Sequence, residues 1–322
     1  MELAGNRFVI IGRAGMDFYP DPPGTKTEEA THFFACLGGS SANIAVAITR
    51  LGGSADLVTC VSDDAIGRFA LNELDKYKVG RQHVRSVGGE ARNSLAVVET
   101  RVQDHQSVIY RNGAADFEMT EADVEAVDYG RYDALITTGT VFAAEPSRTA
   151  AFRGLELAKA AGLPLIFDID YRPYSWPSAQ VAADVYSRAG AMCDVIVGND
   201  VEFGFMAGDY ARGLDKARDL VAAGAKLAIY KMGEKGAIAI TPDAEITAGI
   251  FPTKALKPTG AGDSFMGGLV SGLATGLSVR DAVLQGAACA AMVVARVGCA
   301  PAMPTTQELA DFRAHHAGTE TR

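Results

Sequence analysis

Positive charge is in short supply in this 322-residue chain: 30 Lys and Arg stand against 39 Asp and Glu, a formal net charge of −9. A nucleic-acid surface or an anionic membrane would need clustered Lys and Arg, so neither partner is expected. Cysteine is scarce as well. Cys36, Cys60, Cys193, Cys289 and Cys299 are odd in number, lie far apart and show no CxxC spacing, which reads as buried thiols in a reducing cytoplasm. Long apolar runs are missing: the most apolar helical stretch, 282–295, is too short to cross a bilayer and contains Gln285. The opening Met-Glu-Leu-Ala-Gly-Asn-Arg lacks the regions of a signal peptide, so a cytoplasmic chain is the expectation. Disorder is excluded by 48% hydrophobic residues. A small-molecule partner remains, and an acidic protein that binds a polyanion must gather its donors locally.

What is present is a rhythm. Short apolar runs at 8–11, 56–61, 134–137, 165–168, 195–197, 227–231 and 237–240 alternate with helical segments. That is the pattern of βαβ units around a mainly parallel sheet, an α/β fold with helices on both faces. Residues 41–51 place Ile44, Ala47, Ile48 and Leu51 on one helical face, and the helix predicted over 149–161 stops at Gly162, ahead of Pro164. Two excursions break the rhythm. Segment 13–37 carries Pro20, Pro22, Pro23 and Gly24, and segment 90–113 contains a hairpin, 95–100 and 108–110, that turns near 103–105. The expectation is one domain, with a small β-sheet lid grown from both excursions.

The strongest chemical signal is Lys257-Pro258-Thr259-Gly260-Ala261-Gly262-Asp263-Ser264. The glycines free the backbone to wrap a ligand, and Met266, Leu269, Val270 and Leu273 predict a helix starting near Asp263. The free amides of a helix start suit a phosphate in transfer. A carboxylate there has a different use, accepting the proton of an attacking hydroxyl; the plain alternative is an aspartate that caps its own helix. Phe265 stands where a dinucleotide fingerprint needs its third glycine, and no GxxxxGK[ST] occurs, so Rossmann and P-loop readings lose their defining residues.

The Gly-Ala-Gly-Asp segment, with Gly267-Gly268-Leu269 after it, resembles the second signature of the ribokinase-like (PfkB) sugar kinases, and other elements fit over nearly the whole chain. The resemblance implies that Asp263 is the catalytic base and that the amides of Gly260, Ala261 and Gly262 hold the charge on the transferred phosphoryl group. It implies sugar contacts from Asp17, Gly38, Gly39 and Asn43. Nucleotide contacts would come from Asn199, Lys231, Gly233, Gly236, Thr259 and the glycine loop. Asn199 and Glu202, in the family's Asn-x-x-Glu position, would organise Mg²⁺ through water; on the tetrapeptide alone they read equally as a helix cap. ATP and Mg²⁺ are the implied cofactors, with K⁺ as the family's monovalent cation. The chain departs from the pattern at Ser41, at Ser62 and at Lys257, which replaces a frequent Asp beside the family's monovalent-cation site.

Arg13, Arg111 and Arg172 follow strand-like segments or flank loops expected at the cleft, and paired arginine donors suit a carboxylate. With them, 110–116 and 168–176 resemble the branch of the family that phosphorylates the sugar acid 5-dehydro-2-deoxygluconate in inositol catabolism. The competing substrate is 2-dehydro-3-deoxygluconate; a nucleoside kinase or a non-catalytic sugar sensor on the same scaffold are the rival classes. The alternating hairpin cannot hide both faces from water, which predicts a homodimer through the lid.

Overall fold

The computed structural model describes residues 3–316. The first strand shows why the main sheet forms. In β1 (Arg7–Ile11) every residue after Arg7 is fully buried. Phe8 and Ile10 enter one apolar layer while Val9 and Ile11 enter the other. An unbroken apolar run is what a strand covered on both faces requires.

The remaining strands, in chain order, are β2 (Gly15–Asp21), β3 (His32–Gly38), β4 (Ser54–Ser62), β5 (Gly80–Val87), β6 (Leu95–Val98), β7 (Ser107–Tyr110), β8 (Ala134–Thr138), β9 (Leu165–Asp168), β10 (Val195–Asn199), β11 (Leu227–Lys231), β12 (Ala237–Ile240) and β13 (Glu245–Ala248). Nine of them form one sheet in the order β13-β12-β11-β10-β9-β8-β1-β4-β5. It is parallel from β11 to β5, with β12 and β13 antiparallel at one edge.

One face is covered by α1 (Ser40–Arg50) and α2 (Ala65–Lys76), which precede α3 (Glu121–Glu125), α4 (Ser147–Ala160), α5 (Ala179–Met192), α6 (Asp200–Ala207) and α7 (Gly213–Ala222) on the other. The chain then returns to the first face with α8 (Ala261–Ala274), α9 (Val279–Val294) and α10 (Thr306–His315). The result is an α/β/α sandwich, the arrangement that the resemblance to the ribokinase-like kinases implied. The helix foreseen near Asp263 begins at Ala261, and the one foreseen over 149–161 spans Ser147–Ala160.

Both excursions form a second sheet, ordered β3-β2-β6-β7. Strand β2 pairs antiparallel with β3 and parallel with β6, so the two excursions are joined edge to edge. Among the described residues no helix is long and apolar enough to cross a membrane.

Candidate functional site

A cleft of about 370 Å³ opens where the small sheet faces the carboxyl ends of the parallel strands. This is where an open α/β sheet holds its ligands, because successive loops diverge there and leave backbone and side chains facing a common space. Strand β9 ends in Asp168, β10 in Asn199 and β11 in Lys231, and all three side chains reach the cleft wall. The register sets them side by side: Asp168 lies across from Val197, and Asn199 across from Lys231.

The glycine loop forms the floor. Gly260 has φ +86, and a Cβ there would come within 2.8 Å of Cys299 Sγ, so only glycine both turns the chain and admits the neighbour. Ser264 N–H bonds the Gly260 carbonyl at 3.0 Å and Ala261 N–H makes a long, 3.5 Å bond to the Pro258 carbonyl, so the Gly262 amide between them is left facing outward at the positive end of α8. Asp263 does not cap its own helix. Its Oδ2 accepts a 2.8 Å hydrogen bond from Asn43 Nδ2 in α1, 220 residues away in sequence. Half-buried by surface yet enclosed by the cleft walls, Asp263 is pushed up to about 6, with Asp170 adding to the effect of burial against Asn43, Arg172 and Arg13.

Asp17 comes from β2 of the small sheet. Burial pushes its carboxyl up to about 6, against the pull of Arg13, the Tyr19 hydroxyl and Lys257. Gly38 makes room for it, since a Cβ at 38 would fall 1.9 Å from Asp17 Oδ1. Arg13 donates from Nη1 to Ser94 Oγ at 3.2 Å and is buried, while its Nε has no protein partner. Arg172 holds Asp170 at 2.6 Å and also lines the cleft. Arg13 Nε, Asn43 Oδ1 and Asp170 Oδ2 are all buried on this wall without a hydrogen-bond partner in the protein. Such atoms are rare in folded proteins and point to a polar ligand.

The far end is acidic. Burial holds Asp168 well above the usual carboxylate range, Lys231 lowering it and Asp170, Glu202 and Asp263 raising it. Asp170 has φ +37, an uncommon left-handed backbone for a residue other than glycine. Asn199 and Glu202 form a capping box at the start of α6: Asn199 Oδ1 accepts from Glu202 N–H at 2.9 Å, and Glu202 Oε2 accepts from Asn199 N–H at 2.8 Å. Glu202 Oε1 accepts from Tyr171 N–H at 3.3 Å. The plain capping geometry is thus present, and it presents both side chains to the cleft. No cluster of three or more His, Cys, Asp or Glu among the described residues could hold a metal directly, so a divalent cation here would be bound through its own waters, with Glu202 and Asn199 on the cleft wall.

Not every expected residue is brought here. Arg111 does not reach the cleft wall: its guanidinium pairs with Asp116, donates to the Thr140 carbonyl at 2.9 Å and stacks 4.1 Å over Phe117. Asp116 and Phe117 lie in the segment just after it, and together with Thr140 they hold the guanidinium away from the cleft wall, its Nε alone without a partner. Gly233 and Gly236 sit in the turn between β11 and β12, closed by Met232 N–H to the Gly236 carbonyl at 2.8 Å, and do not line the cleft. Gly38 and Ala261 are not on the cleft wall either, though Gly39 and Gly260 beside them are. Asp168, Asp170, Ser40 and Tyr174 line it and were not singled out as site residues from sequence. His105, in the β6–β7 turn, also reaches the loop, with Nε2 3.4 Å from Thr259 Oγ1.

A model of the pfkB family carbohydrate kinases matches residues 6–306. The chain belongs to that family. Like other pfkB carbohydrate kinases it is an ATP-dependent enzyme, and its relatives share nearly its whole length. It is 35% identical to 5-dehydro-2-deoxygluconokinase from Photobacterium profundum over 94% of this chain and 93% of that one. It is 34% identical to 5-dehydro-2-deoxygluconokinase from Geobacillus kaustophilus, over 96% and 94%. Among solved structures, a fructokinase double mutant from Vibrio cholerae O395, in a form with fructose, ADP and potassium ion bound, superposes with a TM-score of 0.84 at 27% identity, covering 97% and 99%.

Proposed function

We propose that this pfkB kinase transfers the γ-phosphoryl group of MgATP to a hydroxyl of 5-dehydro-2-deoxygluconate, with Asp263 as the base. The observation that carries the chemistry is Asp263 itself, fixed by Asn43 across the cleft in the first turn of α8, beside the glycine loop. Asp263 takes the hydroxyl proton as the new O–P bond forms and the bond to ADP breaks. The amides of Gly260, Ala261 and Gly262 receive the charge on the phosphoryl oxygens, so positioning and electrostatics supply most of the rate. Asn199, Lys231 and Thr259 belong to the nucleotide half. Asp170, Glu202 and Asn199 would hold Mg²⁺ through water, where it neutralises phosphate charge.

The substrate half is Asp17, Gly38, Gly39, Asn43, Arg13 and Arg172. Arg13 with its free Nε, and Arg172 beside it, favour a sugar acid over a neutral sugar or nucleoside. The names of the relatives favour 5-dehydro-2-deoxygluconate over 2-dehydro-3-deoxygluconate. Two copies pair through the outer face of the small sheet.

The test is ADP production with MgATP and each of those two sugar acids, fructose and adenosine. The expected outcome is turnover on 5-dehydro-2-deoxygluconate alone, with kcat/KM declining as pH falls through about 6, where Asp263 gains its proton. Asp263→Asn should lose about 10²–10⁴-fold in kcat, the range for a general base. Preference for fructose or adenosine would refute the arginine argument, and binding without turnover would make the chain a sensor.

A further inference from the structure

Lys257 is the odd charge in this site. Its side chain is wholly buried, among the largest such side chains in the protein, and it forms no ion pair within 4.0 Å among the described residues. Its ammonium carries three donors. Among the described residues it donates to the backbone carbonyl of Thr259 alone. Burying a charge without a paired counter-charge costs several kcal/mol, so a chain that keeps one there has a use for it.

The surroundings say what that use is. Backbone amides at 256 and 257 both bond to the Val294 carbonyl at the end of α9, at 2.7 and 3.3 Å, which pins the base of the side chain. Beyond it lie the buried groups on which its charge acts, Asp17 in β2, Cys36 in β3 and Cys299 in the segment after α9. Gly260 packs on the same Cys299. The ammonium therefore sits where the small sheet, the carboxyl-terminal segment and the glycine loop meet, and the atom it grips belongs to the residue just before Gly260.

Resting on the reading of Gly260 to Gly262 as the cradle of the transferred phosphoryl group, we propose that Lys257 is a built-in cation that holds the Thr259 carbonyl. It thereby aligns the loop amides, so the loop needs no free monovalent cation. Lys257 is a positioning residue, acting through the Thr259 peptide and contributing its positive charge from behind the loop. Either potassium or ammonium, small enough to share a carbonyl, is the natural substitute once the side chain is removed.

The experiment compares wild type, Lys257→Met and Lys257→Gln in tetramethylammonium buffer and in potassium or ammonium buffer of equal ionic strength. Three readouts apply: kcat and KM, calorimetric binding of MgATP, and the melting temperature of the protein alone. Wild type should be indifferent to the exchange in all three. Both variants should lose about 10²-fold in kcat, the scale of a 1 Å misplacement at a reacting centre, with KM for the sugar little changed. Potassium or ammonium should restore part of the rate and raise the variants' melting temperature without affecting wild type. A potassium requirement in the wild-type enzyme would overturn the proposal, and this arm needs no variant to fold. So would wild-type kcat in Lys257→Gln, which keeps a donor but not the charge, or variants slowed yet deaf to every cation. If no sugar turns over, the substrate reading fails, while melting and nucleotide binding still decide the role of Lys257.

Discussion

Asp17 and Asp263 are both pushed up to about 6 by burial, but only one of them is anchored in its ionised form by a strong donor. Asp263 has Asn43 at 2.8 Å, while Asp17 has the Tyr19 hydroxyl at 3.5 Å. Asp17 is thus held at a cost to the fold. Its folded pKa lies above the unfolded value near 3.8, so the native state keeps an extra proton between those limits. Stability from this group is complete below about pH 4 and is lost as pH rises through 6, about 3 kcal/mol in all if the 1.36 kcal/mol per unit holds. Asp17→Asn should therefore melt higher than wild type at pH 8, with the advantage shrinking toward pH 4, and should bind the sugar more weakly. Chemical denaturation at both pH values checks this; equal stability at pH 8 would mean that Arg13 and Lys257 already offset the burial.

At the scale of elements, the hairpin of β6 and β7 ties the small sheet to the chemistry. Ala96, Val98, Ser107 and Ile109 line the cleft, and His105 at the turn meets Thr259 of the glycine loop. Buried Glu99 braces the turn by accepting from Thr27 N–H at 2.8 Å and Gln106 N–H at 3.2 Å. Replacing 102–105 by a two-residue Asn-Gly turn, which keeps Arg101 and Gln106 on buried Glu99, should leave the melting temperature nearly unchanged, raise KM for the sugar about tenfold and admit water, seen as ATP hydrolysis without sugar. An unaltered KM would mean that the hairpin tip does not cover the substrate. This hairpin was legible because its strands alternate, as β1 was because its run is unbroken. Strand β5 was not: Gly80–Val87 is a polar edge strand whose first seven residues are not buried, so neither pattern marks it. Segment 168–176 stood out by resemblance, but that Asp168 and Asp170 themselves reach the cleft did not, because their place there depends on the register of β8, β9 and β10. Arg111 misled because sequence shows that an arginine follows a strand, not which carboxylate five residues on will claim it.

For the whole molecule, the pleat of the small sheet separates its two tasks. Asp17 pairs with Ala96 and Ala96 with Ile109, and these face the cleft. The alternate residues, Phe18 opposite Val97 and Val97 opposite Val108, must then face away, together with Phe33, whose ring meets Phe18 edge-on at 6.4 Å, and Tyr110. This outer face is apolar yet uncovered within one chain: Phe33 is 42%, Val108 43% and Tyr110 61% exposed. A second copy presenting the same face would bury it symmetrically, which a chain of net charge −9 tolerates only where carboxylates are sparse, as they are on these strands. Sedimentation at micromolar concentration should give a dimer for wild type and a monomer for Phe33→Asp with Val108→Asp. Because the same strands carry Asp17 and Ile109 on their inner side, the monomer should keep its nucleotide affinity and lose sugar affinity. A wild-type monomer would refute the pairing, and a monomeric variant with wild-type sugar affinity would separate assembly from catalysis.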